Sequence, residues 1–121
     1  MGITELHIKV YDEVSGVLAV SGEDGDKLYK KISDALSNKL NVILDFVNIE
    51  IITTAFLNAA IGQLYSEYSG EELNAKLRFE HVSSDEAPLF AKVVKRAKEY
   101  FKNKEEFENT VNKSLVDDLG K

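Results

Sequence analysis

The chain has 121 residues, 44% of them hydrophobic, and a formal net charge of −6, which suits one domain around one core and leaves too little chain for two of ordinary size. It contains no cysteine, which excludes a disulfide framework, thiolate catalysis and cysteine-ligated zinc or iron–sulfur centres. Acidity without a basic stripe argues against nucleic acid; with no apolar run near the roughly 18 residues of a membrane helix and an N-terminus, MGITELHIKV, unlike a secretory signal, a soluble, cytoplasmic protein is expected.

Near the N-terminus, Leu6, Ile8 and Val10 alternate with Glu5, His7 and Lys9, and Val14 to Val20 is a second run suited to a strand. With Asp12-Glu13 as the turn between them, the two runs predict a hairpin. Leu28, Ile32, Ala35 and Leu36 then share one face of an amphipathic helix that begins near Asp24, with acidic residues favouring its start. Asn41 to Phe46 is nearly continuous in apolar residues, the pattern of a central strand covered on both faces.

After a loop from Val47 to Ile52, the residues Phe56, Leu57, Ala60, Ile61, Leu64, Tyr65 and Tyr68 recur at helical spacing, and Ser69-Gly70 ends that helix. Ala75 to Val82 alternates as a strand, with Leu77, Phe79 and His81 opposite Lys76, Arg78 and Glu80. Ser84 or Asp85 is placed to cap a further helix with Pro88, the single proline, in its first turn and Leu89, Phe90, Val93, Val94, Ala97, Tyr100 and Phe101 on its apolar side. Phe107, Val111, Leu115 and Leu119 recur every four residues and predict a C-terminal helical extension over 103–121, lying across the domain or against a second copy as a homodimer. The order predicts an α/β fold with a mixed, largely parallel sheet of about four strands and three to four helices in a domain spanning residues 1–121.

Loops at the carboxyl ends of parallel strands are where sites form, which directs attention to Asp45 and to the hydroxyl pair Thr53-Thr54. Either threonine can cap the helix that follows; the same geometry suits a binding contact or a phosphorylated residue. Asp45, at a strand end, suits a hydrogen bond to loop backbone or a role as ligand or base. His7 and His81 fall on different strands as solvated or hydrogen-bonded positions, with acid–base work the minor alternative; two histidines alone make no metal site, and none is expected. Gly22 and Gly25 lack the spacing of a phosphate-binding loop, and Glu23 and Asp24 would repel a phosphate. KVVKRAKEYFKNK reads as a solvated helix face.

The segment LDFVNIEIITTAFLNAAIG resembles the signature of STAS domains, the sulphate-transporter and anti-sigma-factor-antagonist fold, in which a strand ending in Asp and an apolar residue leads through a short loop to Asp-Ser-Ser-Gly and a helix. The chain is similar, from about Ser21 to Phe101, to an uncharacterised bacterial STAS-like group in its Gly25-Asp26-Lys27-Leu28 helix start, its Leu44-Asp45-Phe46 strand and its Thr-Ala-Phe-Leu helix entry. Aligned without a gap, the family's phosphorylatable serine falls at Thr54, while Thr53, Ala55 and Phe56 stand where the family has Asp, Ser and Gly. The resemblance implies a non-enzymatic protein-interaction module in bacterial signalling that docks an ATP-binding, anti-sigma-type kinase as its protein partner. It implies Thr54 as the phosphorylation candidate, with Asp45, Asn48, Thr53, Thr54 and Asn58 as the partner- or ligand-binding set, and no cofactor. A small-ligand or nucleotide-binding domain is the alternative.

Overall fold

The computed structural model describes residues 4–102. The C-terminal stripe at Phe107, Val111, Leu115 and Leu119 lies outside the described residues. The first strand, β1 (Glu5–Lys9), runs straight into a short helix, α1 (Val10–Val14), and then a two-residue strand, β2 (Leu18–Ala19). A long helix, α2 (Gly22–Ser37), leads to β3 (Asn41–Asp45), followed by β4 (Ile51–Ile52), α3 (Thr54–Ala60), a 3₁₀ turn (Gly62–Ser66), α4 (Gly70–Lys76) and β5 (Leu77–Glu80). A final helix, α5, occupies 87–102.

Three strands form one parallel sheet in the order β1-β3-β5, and β2 pairs with β4, again in parallel, as a separate two-stranded sheet. The predicted α/β architecture with a largely parallel sheet is what the chain adopts. The predicted N-terminal hairpin is not: Leu6 and Ile8 stand opposite Val42 and Leu44, and Asp12-Glu13 lies inside α1 rather than in a turn. Alternation identifies a strand but is silent about its partner. Here α1 ends at Ser15, whose left-handed φ of 58° turns the chain away before it can fold back along β1.

Both crossovers, β1 to β3 and β3 to β5, step one strand in the same direction, so right-handed connections put the intervening helices on one face of the sheet. That inner face carries Ile8, Val42, Leu44 and Leu77, which join Leu28, Ile32, Phe56, Leu57 and Leu64 in one contiguous core. Phe46, Phe79 and Phe90 meet edge to face, with centroids 5.0 to 6.4 Å apart, and seat α5 over the ends of β3 and β5. Among the described residues, helices therefore pack on one face of the central strand, not on the two expected. Ile43 and Asp45 point the other way and are buried by neighbouring strands; Arg78 and Glu5, from β5 and β1, form an ion pair at 3.5 Å across the β3 side chains.

Helix ends explain the remaining departures. Ser21 accepts the Asp24 N–H and starts α2 at Gly22, two residues before the expected start. At its other end Lys39 takes a left-handed φ of 64°, and the bonds Lys39 N–H to Leu36 O and Leu40 N–H to Ala35 O close a Schellman motif without glycine. Ser69 does not merely end the preceding helical segment. It caps α4 through a box in which Glu72 reciprocates, a short polar helix that apolar spacing does not reveal. Ser83, one residue before the expected cap, accepts the Glu86 N–H ahead of α5.

On α2, Tyr29 donates its hydroxyl to Glu67, and that bond, assisted by burial, raises its ionisation from 10.0 to about 12. Neutral Tyr29 is the stabilising form, so its contribution is complete below pH 10 and disappears as pH rises towards about 12. In an ultraviolet titration one tyrosine should ionise near pH 12, and Tyr29→Phe should remove that late step. A titration unchanged by the substitution would rule out the bond as its cause.

Candidate functional site

Asp45 ends the central strand and is 3% exposed, the one buried charged residue among those described. Burial alone would push its carboxyl upward, but three hydrogen bonds overrule that and hold it below its ordinary value. The Val47 N–H donates to Oδ1 at 3.0 Å, the backbone bond expected of a strand-end aspartate. His81 Nδ1 lies 2.6 Å from Oδ1 and His7 Nε2 lies 3.0 Å from Oδ2. Both histidines of the chain thus flank one carboxylate.

Strand geometry builds this arrangement. In parallel register Lys9 is the partner of Asp45, so His7, two residues earlier, projects from the same outer face. Glu80 is the partner of Asp45 on the other side, and its carboxylate joins the same face. His81 follows directly and adopts a φ of 57°, a left-handed conformation uncommon for a non-glycine residue, in the place where its ring reaches Asp45. Ligand atoms of His7, Asp45 and Glu80 all lie within 4.8 Å of one another. The histidine side chains remain about half exposed, at 48% and 59%. The arrangement is a buried carboxylate holding two accessible imidazoles in fixed orientations.

The hydroxyl pair lies elsewhere. Thr53 is the N-cap of α3: its Oγ1 accepts the Phe56 N–H at 3.2 Å and donates to the Val20 carbonyl at 2.7 Å, linking the helix to β2. Such a cap is worth about 1 kcal/mol. Thr54 is exposed, and Asn58, one turn on, is exposed beside it. Asn48 occupies the turn after β3 with a φ of 65°, in the region that asparagine tolerates better than most residues.

Of the five residues expected in one site, the fold thus brings together Thr53, Thr54 and Asn58 on α3. Asp45 faces outward from the opposite side of the sheet and is joined by His7, Glu80 and His81. The usable signal for that second group was parity: His7 and Glu80 sit in the polar set of their alternating strands, whereas His81 alternates with the apolar Leu77 and Phe79. The register that brings them beside Asp45 is a tertiary property.

Among the described residues no helix is long and apolar enough to cross a membrane. No curated protein and no solved structure matches the chain. The model of a family described as a STAS-like domain of unknown function (DUF4325) matches residues 24–87, a span holding most of α2 and all of β3, α3 and β5, together with Asp45, Thr54, Glu80 and His81. With more than half of its length in that match, the chain belongs to this STAS-like family.

Proposed function

We propose that the chain is a non-enzymatic protein-interaction module in signalling, docking a protein partner through the surface formed by the β2–β4 pair and the outer side of α3. The observation that carries the reading is an apolar pair left in solvent: Leu18 is 47% exposed and Ile51 51%, although they are register partners, and Ile51 lies three residues before Thr54. Large apolar side chains grouped on a surface favour a partner. Thr54 and Asn58 continue that surface with neutral polar groups, while Thr53 is engaged inward.

Membership of the STAS-like family supports a docking role of the anti-sigma-factor-antagonist type, with an ATP-binding, kinase-like regulator as the partner. Transfer of a phosphoryl group from the partner's ATP to Thr54 Oγ1 would release ADP and put nearly two negative charges beside Leu18 and Ile51. Docking would then be reversed by charge rather than by unfolding.

The test is binding by charge-substituted protein. Thr54→Glu should weaken partner binding at least tenfold, about 1.4 kcal/mol, whereas Thr54→Ser should bind as the parent does. Stability should hardly change, because a carboxylate near a helix N-terminus is tolerated. If Thr54→Glu binds normally, the docking surface lies elsewhere.

A further inference from the structure

We propose that His7, Asp45 and Glu80 form a binding site for a divalent first-row transition cation, with His81 as the residue that positions Asp45. The three ligands come from β1, β3 and β5, and their donor atoms already lie within 4.8 Å of one another. Ligand atoms around a zinc ion sit at about 2.0–2.2 Å from the metal and hence roughly 3.4 Å apart in a tetrahedral shell. Small side-chain rotations close that difference without moving the strands.

The division of labour around Asp45 favours this reading. Oδ1 is held by the Val47 N–H and by His81, and Oδ2 faces His7. A carboxylate anchored through one oxygen and directed with the other is the arrangement that fixes a metal ligand in place. Two carboxylates offset the charge of a dication, and one imidazole nitrogen selects transition ions over magnesium or calcium, which prefer oxygen shells. Lys9, the partner of Asp45 in the sheet, forms no ion pair among the described residues that would neutralise these carboxylates. On binding, His7 gives up its Nε2 hydrogen bond to Asp45 and, as the tautomer protonated at Nδ1, directs the Nε2 lone pair at the ion. Three protein ligands leave at least one coordination position for water on an exposed face.

Calorimetric titration of the full-length chain with Zn²⁺ alone, and separately with Mg²⁺ alone, tests the site. The expected result is one equivalent of Zn²⁺ and no measurable Mg²⁺ binding. His7→Ala and Glu80→Gln should each weaken Zn²⁺ at least tenfold, and His81→Gln should weaken it to a smaller degree. Substitution with Co²⁺ should give visible absorption bands that disappear in His7→Ala. Circular dichroism and melting of the metal-free variants check folding; a variant that fails to fold is replaced by His7→Gln or Glu80→Ala at the same positions. Absence of a stoichiometric Zn²⁺ site, or binding that survives both His7 and Glu80 substitutions in folded protein, overturns the proposal.

Discussion

Leu44→Ala should destabilise the protein by about 2–5 kcal/mol, through lost transfer energy and the cavity that surrounding residues fill only in part. Leu44 is 0% exposed and lies on the inner face of the middle strand, between Ile8 of β1 and Phe79 of β5 in register. A strand with a neighbour on each side is pinned by two hydrogen-bonded ladders, so it has little freedom to collapse into the space. Chemical denaturation should show a lower midpoint with an unchanged slope. A loss below about half a kcal/mol would mean that the site relaxes as no well-packed interior position should.

The second large effect is expected at Gly25, where a single methyl group is too much. Gly25 is buried on α2 where that helix crosses α3, and an added Cβ would stand 2.6 Å from the Phe56 carbonyl oxygen and 2.7 Å from the Ala59 Cβ. Two of the three nearest atoms belong to the α3 backbone, so no rotamer change relieves the clash. The helices would have to separate, and Phe56, Leu57 and Ala60 of α3 are all buried against the core. Overpacking of this kind costs about 1–3 kcal/mol and more where backbone must move, outweighing the roughly 1 kcal/mol by which alanine improves helix propensity over glycine. Gly22→Ala, three residues earlier with nothing within 4 Å, is the control and should not destabilise. If Gly25→Ala is as stable as that control, the helices are not in the close contact described.

These two positions mark what could be read from the chain itself. The run through Leu44 announced a buried strand, and the spacing of Leu28, Ile32, Ala35 and Leu36 announced the inner face of α2; all are buried. Alternation in Ala75 to Val82 left open which set faces the helices; Leu77 and Phe79 do, while His81, third in their set, leaves it through a φ of 57° and reaches Asp45 on the outer face. Pairing was not legible, because alternation is the same for a hairpin and for a strand that waits for a partner 36 residues on. The helix α4 was hidden for a different reason: Ser69-Gly70 carries both a stop and a start, and only Glu72 three residues later distinguishes them. Thr53 and Thr54 are equivalent in sequence terms as caps. The Val20 carbonyl, brought alongside by the β2–β4 pair, decides that Thr53 turns inward. Least legible was the junction at Asp45, since His7 and His81 are separated from it by 38 and 36 residues and meet it only in the folded register.

The central claim, that the β2–β4 and α3 surface docks a protein partner, is tested most directly by comparing what tagged parent, Ile51→Lys and His7→Ala chains bring down from their native host. Lysine at position 51 places a charge in the exposed apolar pair, while His7→Ala alters only the opposite sheet face. An ATP-binding protein recovered stoichiometrically by the parent and by His7→Ala, and lost with Ile51→Lys at unchanged melting temperature, is the predicted result. Recovery of the same proteins by Ile51→Lys as by the parent would contradict it.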